Sequence, residues 1–294
     1  MNSKAMPYAR ETHLYAVKER PAPIPVSEEK SVFSQIFRYF TEDAQLYVPV
    51  PDNYGDQRRL LRALLNIRDP RPVPAEILAL LDRFLWTERL EAGIAETDKI
   101  PVIRDSPGSG RKSADTIALW QGDICRLDTD AIVNAANGKL LGCFQPLHSC
   151  IDNAIHSAAG PQLRADCDII MKLQDCDEPP GQAKITRAYN LPSRFVIHTV
   201  GPIVNTELEQ FHRVLLASCY RACLDLAADS GRIKTIAFCC ISTGVYGFPA
   251  KEAVPIAVET VSAWLEQNPY TFEKVIFNVF TNSDYDLYKT YLKA

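Results

Sequence analysis

The feature that most constrains this chain is a change of pattern about a third of the way along it. From residue 116 onward, short apolar runs alternate with longer amphipathic stretches. The spacing predicts strands over 116–122, 131–135, 185–189, 195–199, 235–241 and 274–280. Helices are predicted over 151–159, 162–172, 207–229, 251–267 and 284–292. Strands alternating with helices imply an α/β sheet covered on both faces, with ligands expected at the strand ends.

The part before this pattern reads as helical. Helices are expected over 28–39, over 57–67 with Leu60, Leu61, Leu64 and Leu65 at helical spacing, and over 75–90 with Ile77, Leu78, Leu81, Leu85 and Trp86. Prolines at 70, 72 and 74 separate the last two. A stretch rich in Pro, Gly and Ser over 107–113 then places a domain boundary near residue 110, dividing a helical extension and linker (1–110) from an α/β domain (111–294).

Composition excludes several classes. With 294 residues and 47% hydrophobic content the chain can bury a substantial core. A net charge of −4 with signs interspersed gives no basic stripe for long nucleic acid, although backbone amides could still hold one nucleotide. No apolar run approaches the roughly 18 residues that span a bilayer. Glu11 and Glu19 argue against a transit peptide. A cytoplasmic, intracellular protein is therefore expected. Its nine cysteines, all beyond residue 124, would there be core residues, metal ligands or nucleophiles.

Three constellations could carry chemistry. Asp123 and Ile124 follow the first strand of the α/β part, and Asn134 and Asn137 belong to the second. An acid and two amides at adjacent strand ends can bond a purine amine and a sugar; such residues are also common turn formers. The run Ser242, Thr243, Gly244, Val245, Tyr246 leaves a buried strand and leads into a helix near Lys251. Glycines in such a turn let backbone amides converge on an anion, as a pyrophosphate requires. Most unusual is the loop bearing Cys143, His148 and Cys150, just before Asp152. Its C-x₄-H-x-C spacing matches no structural zinc finger, but it offers three ligands suited to zinc. The alternative is two buried cysteines beside an incidental histidine.

In this order the constellations resemble the macrodomain family, and within it the MacroD-type ADP-ribosyl hydrolases. The resemblance rests on GDI at 122–124, IVNAAN at 132–137, the I-D-x-A-I-H-x-A-A-G run at 151–160, IHTVGP at 197–202 and STGVYGFP at 242–249. It covers roughly residues 112–294 and implies a three-layer α/β/α fold with a mixed central sheet, preceded here by the small helical segment. Where MacroD-type proteins carry a run of glycines, this chain has Cys143 to Cys150. That replacement resembles the zinc-containing branch, which also has a helical N-terminal extension.

The resemblance implies ADP-ribose and mono-ADP-ribosylated protein as partners, and Zn²⁺ held by Cys143, His148 and Cys150. It implies adenine recognition by Asp123 and Ile124, and stacking on Phe280, which could equally be core. Distal ribose binding falls to Asn137, and pyrophosphate binding to Ser242, Thr243, Gly244, Val245 and Tyr246. Asn137 and Asp152 are the expected catalytic pair, with Asp152 as the candidate general base. The implied reaction is hydrolysis of mono-ADP-ribose from Asp or Glu esters. A reader that binds without cleaving, or a hydrolase of a small ADP-ribose derivative, would use the same pocket. Two thiolates and a neutral imidazole cancel the charge of zinc, which favours orienting a ribose hydroxyl or water over strong polarisation. Cys239 and Cys240 in a strand, and Cys219 and Cys223 on one helical face, read as core. His156 could support a ligand or simply pack, and His198, inside a buried strand, is assigned no chemistry.

Overall fold

The structure, a computed structural model, describes residues 6–17, 19–45, 49–105 and 112–293. The expected boundary near residue 110 lies outside the described residues. Three helices come first: α1 (Val26–Asp43), α2 (Tyr54–Ile67) and α3 (Ala75–Ala92). Asn53 caps α2 by accepting from the Asp56 amide at 2.9 Å. The three helices share a cluster of their own that includes Ile36, Phe40, Leu61, Leu81 and Leu85, all at most 1% exposed.

The strands are β1 (Ala95–Glu96), β2 (Ile117–Gln121), β3 (Leu127–Asp128), β4 (Ala131–Ala136), β5 (Ala183–Arg187), β6 (Phe195–Val200), β7 (Thr235–Phe238) and β8 (Lys274–Val279). Between and after them run α4 (Ile151–Ala159), α5 (Pro161–Gln174), α6 (Gln210–Ser230), α7 (Ala250–Gln267) and α8 (Asn282–Lys293). Six strands form one sheet in the order β2-β8-β7-β4-β6-β5. All its neighbours are parallel except β5, which pairs antiparallel with β6. The sheet is therefore mixed, and helices cover both faces, as expected. Its strands are near-continuous apolar runs because both faces are buried: Ile132, Val133, Val196, Ile197, Ile236 and Ile276 are fully enclosed.

Two strands differ from their sequence patterns by more than one residue at an end. Apolar character continues to residue 241, but β7 stops at Phe238. It pairs with β4 only at Ala131 and Ile132, whereas β4 pairs with β6 along all six residues, Ala131 to Ala136. Beyond Ile132 the ladder between β4 and β7 ends, although the Cys239 side chain still bonds to the Ala135 backbone. β5 begins at Ala183 instead of 185, because its register against β6 runs from Ala183 opposite Thr199 to Arg187 opposite Phe195.

The N-terminal residues do not stand apart from this sheet. Met6, Tyr8 and Leu14 are buried in the same cluster as the strands. The Tyr8 hydroxyl accepts from the Ile185 amide at 2.9 Å. Arg20 donates to the carbonyls of Tyr189, Leu191 and Pro192 and lies 4.2 Å from the Trp86 ring centroid.

Candidate active site

Where the ladder between β4 and β7 ends, a cavity of about 900 Å³ opens at their carboxyl ends. A crevice at this point of an open α/β sheet is where ligands are expected. Ala135, Ala136 and Asn137 form its floor from β4, and Cys239 and Cys240 line it from the chain that has just left β7. The expectation that both cysteines are purely core therefore needs correction for this pair. Cys239 is buried and Cys240 half-buried, yet each presents surface to the cavity. Cys219 and Cys223 are fully buried.

One wall is the loop after β7. Ser242 sits at φ +65°, in the left-handed region that a non-glycine residue adopts at a cost of about 1–3 kcal/mol. Gly201 permits it: a Cβ there would lie 1.9 Å from Ser242 Oγ. The turn closes on itself through Phe248 N to Ser242 O and Gly247 N to Gly244 O. Among the described residues, the amides of Gly244, Val245 and Tyr246 bond to no backbone carbonyl. Thr243, Gly244, Val245 and Tyr246 all line the cavity, and Val245 is 70% exposed. Backbone amides without a carbonyl partner in the lining of a cleft can hold an anion.

The opposite wall is the loop between β4 and α4. Gly142, at φ +81°, passes so close to His156 that a Cβ would fall 2.9 Å from its ring. Cys143, His148 and Cys150 follow, all half-buried, with one donor atom from each lying within 4.8 Å of the others. Cys143 Sγ and His148 Nδ1 are 3.6 Å apart. Zinc–ligand lengths of about 2.3 and 2.0–2.1 Å at a tetrahedral angle require nearly that separation, roughly 3.5–3.6 Å. Cys150 caps α4, its Sγ accepting from the Asn153 amide at 3.4 Å. Burial pushes the Cys150 thiol up to about 11, partly offset by that amide. The donor types and their spacing could hold a metal ion.

Asp152, in the first turn of α4, lies between the two walls and is 5% exposed. Its Oδ1 accepts from Asn134 Nδ2 at 2.8 Å and its Oδ2 from Asn137 Nδ2 at 3.4 Å. Burial pushes its carboxyl up to about 6, against the lowering effects of Asn134 and the Arg164 charge. Asn137 also donates to the Gly142 carbonyl at 3.0 Å, tying the β4 end to the loop.

Beneath Asp152 lies a polar layer that sequence reasoning missed. Asn134 donates to His198 Nδ1 at 3.2 Å, which leaves Nε2–H to face Thr186 Oγ1 at 3.0 Å. Burial holds His198 down to about 3, so the ring is neutral and can accept from Asn134. His156 Nε2 is 3.5 Å from Asp152 Oδ1, and burial, then His198 and Arg164, push its basicity well down. The signal in the sequence was Asn134 and His198 inside otherwise apolar strands, since a buried polar side chain requires a partner.

The remaining expected residues divide. Phe280 is 75% exposed on the cavity rim, so it is not core. Asp123 and Ile124 are not among the residues lining the cavity. Asp123 caps a short 3₁₀ turn, is ion-paired to Arg89 of α3 at 3.7 Å, and keeps 41% of its side chain exposed. The Ile124 side chain is buried in the core. Both follow β2, whose end pairs with the end of β8, from which Phe280 emerges.

The Macro domain family model matches residues 133–257. A protein-ADP-ribose hydrolase of Treponema medium is 44% identical over 263 residues, covering 89% of this chain and 97% of the relative. A protein of the same name from Staphylococcus aureus strain MRSA252 is 46% identical, covering 82% and 86% of the two chains. Among solved structures, an Oceanobacillus iheyensis macrodomain with ADP is 41% identical with a TM-score of 0.55, covering 61% of this chain and 91% of that one. A Trypanosoma brucei macrodomain in complex with ADP-ribose is 28% identical with a TM-score of 0.59, covering 82% and 97%. Identity across nearly the whole length of the Treponema relative, together with the mixed sheet and its strand-end cavity, places the chain in the macrodomain family.

Proposed function

We propose that this protein hydrolyses mono-ADP-ribose from Asp or Glu side chains of modified proteins, and that Cys143, His148 and Cys150 hold a zinc ion in its substrate loop. One observation carries the reading: a single cavity brings Asn137, Asp152 and the Cys/His trio opposite the free amides of 244–246. The relatives named protein-ADP-ribose hydrolases support it. The 1–110 extension and the 111–294 macrodomain are proposed to act as one unit.

In this reading the amides of Gly244, Val245 and Tyr246, with Ser242 and Thr243, bind the pyrophosphate. Phe280 stacks on the adenine, with Asp123 and Ile124 at its edge. Asn137 bonds a distal-ribose hydroxyl and orients it above Asp152. The carboxylate of Asp152, held on one oxygen by Asn134 and on the other by Asn137, takes the proton of a water that attacks the anomeric carbon of the distal ribose, as the bond from that carbon to the ester oxygen breaks and the Asp or Glu carboxylate of the modified protein departs. A zinc ion, when bound, supplies a Lewis acid at the distal-ribose end of the pocket. Asn134 and His198 keep the Asp152 carboxyl from rotating away from the cavity, so its orientation is set before substrate arrives.

The test is release of free ADP-ribose from a mono-ADP-ribosylated protein with acidic-residue linkages. Zinc-loaded protein, chelator-stripped protein and Cys143→Ala are compared, each also assayed for ADP-ribose binding. Release that is lost on stripping and in the variant, with binding retained, is expected. Binding without release in the loaded protein would make this a reader. Undiminished release after stripping would remove zinc from the reaction.

A further inference from the structure

We propose that Asn66 of the helical segment is a positioning residue for the Cys/His trio, with Arg62 as its companion. The inference rests on the reading that the trio holds a metal. Asn66 is 1% exposed on α2, where a polar side chain needs a reason to be buried. Its Oδ1 accepts from the Leu147 amide at 3.1 Å, and its Nδ2 donates to Ser157 Oγ on α4 at 2.9 Å. Leu147 immediately precedes His148 and stands at φ +58°, a left-handed conformation unusual for a leucine. The Asn66 carboxamide therefore holds the peptide whose strained geometry aims the His148 ring at Cys143 Sγ.

Arg62, one turn earlier, secures the other half of the loop. Its Nη2 donates to Asn153 Oδ1 at 2.9 Å. Asn153 in turn donates Nδ2 to the Gln145 carbonyl at 3.0 Å and its amide to Cys150 Sγ at 3.4 Å. Two residues of α2 thus reach the loop next to His148 and, through Asn153, next to Cys150. A helix that only covered a sheet face would have no use for two polar side chains aimed at one loop. Metal sites depend on such outer partners for the direction of their ligands, and losing one typically weakens binding about 10- to 100-fold.

The experiment titrates chelator-stripped, full-length protein with Co²⁺, following thiolate-to-cobalt charge-transfer absorption and competition with a chromophoric chelator. Asn66→Leu removes both hydrogen bonds at similar volume. Asn66→Asp keeps the acceptor for the Leu147 amide. Arg62→Met, at a half-buried position, removes the second tether and carries the test if Asn66→Leu does not fold. We expect Asn66→Leu or Arg62→Met to keep the wild-type circular dichroism spectrum, to bind Co²⁺ roughly 10- to 100-fold more weakly, and to show an altered charge-transfer band. Asn66→Asp should recover most of the affinity and the band. Wild-type affinity and spectrum in a folded Asn66→Leu or Arg62→Met overturns the proposal while leaving the metal reading intact. A wild-type protein that gives no charge-transfer band with Co²⁺ overturns the metal reading and this proposal with it.

Discussion

Asp152 is held by two amides that differ in burial. Asn134 is fully buried and connected to His198, whereas Asn137 sits at the strand end, open to the cavity. Only the second is placed to exchange a bond to Asp152 for one to a ligand. The histidines beneath give the folded state a defined acid sensitivity. His198 falls from an ordinary value near 6.5 to about 3, so the unfolded chain gains a proton on acidification that the folded protein refuses. Its contribution to stability is complete above pH 6.5 and is lost as the pH falls toward 3. Asp152 opposes it, because its carboxyl, raised to about 6, takes up a proton in the folded state first. The difference between wild type and His198→Gln isolates the histidine. The wild-type advantage should shrink by about 1.4 kcal/mol per pH unit between pH 6 and 4, measured by urea unfolding of stripped protein. Parallel stability profiles for the two proteins would refute a neutral His198.

At the scale of elements, α2 does two jobs with two faces. Leu61 and Leu64 point into the helical cluster, and Arg62 and Asn66 point toward α4 and the loop. The helical spacing that predicts α2 also places positions 62 and 66 one turn apart on a shared face. Leu61 is fully buried, and Leu61→Ala should cost about 2–5 kcal/mol if the helical cluster unfolds together with the sheet. A single transition displaced to lower urea is expected. A separate early transition, with the main one unmoved, would show that the helices melt alone. The glycines at the site belong to this scale as well. Gly142 and Gly201 let the loop and strand pass His156 and Ser242 at distances that no Cβ allows.

At the scale of the molecule, the chain before residue 94 is bound to the sheet by contacts of several kinds. These include Met6 and Leu14 in the main core, Tyr8 on β5, Arg20 over the 189–192 turn, and Arg89 on Asp123. Deleting residues 1–93 should lower the thermal midpoint by roughly 10 °C or more and abolish Co²⁺ binding. An unchanged midpoint, with the metal still bound, would mean that the helical segment is an independent appendage. Among the described residues no helix is long and apolar enough to cross a membrane.

Much of this architecture was legible in the sequence. Helical and strand periodicities marked every principal helix and every strand of the six-stranded sheet, because a segment buried on one stripe or on two faces must carry that periodicity. The C-x₄-H-x-C spacing marked the trio, because its three residues lie close together along one loop. Tertiary structure alone decided the rest. That β7 leaves β4 after one short pairing, so that Cys239 and Cys240 face a cavity, depends on strand order, which local pattern does not encode. That Asn66 meets Leu147 and Arg62 meets Asn153 depends on α2 docking against α4, across 81 and 91 residues of chain. Sequence determined which segments fold and which loop brings two cysteines and a histidine together. Packing decided which distant polar groups tie down that loop, because hydrogen bonds between elements act only once the elements have met.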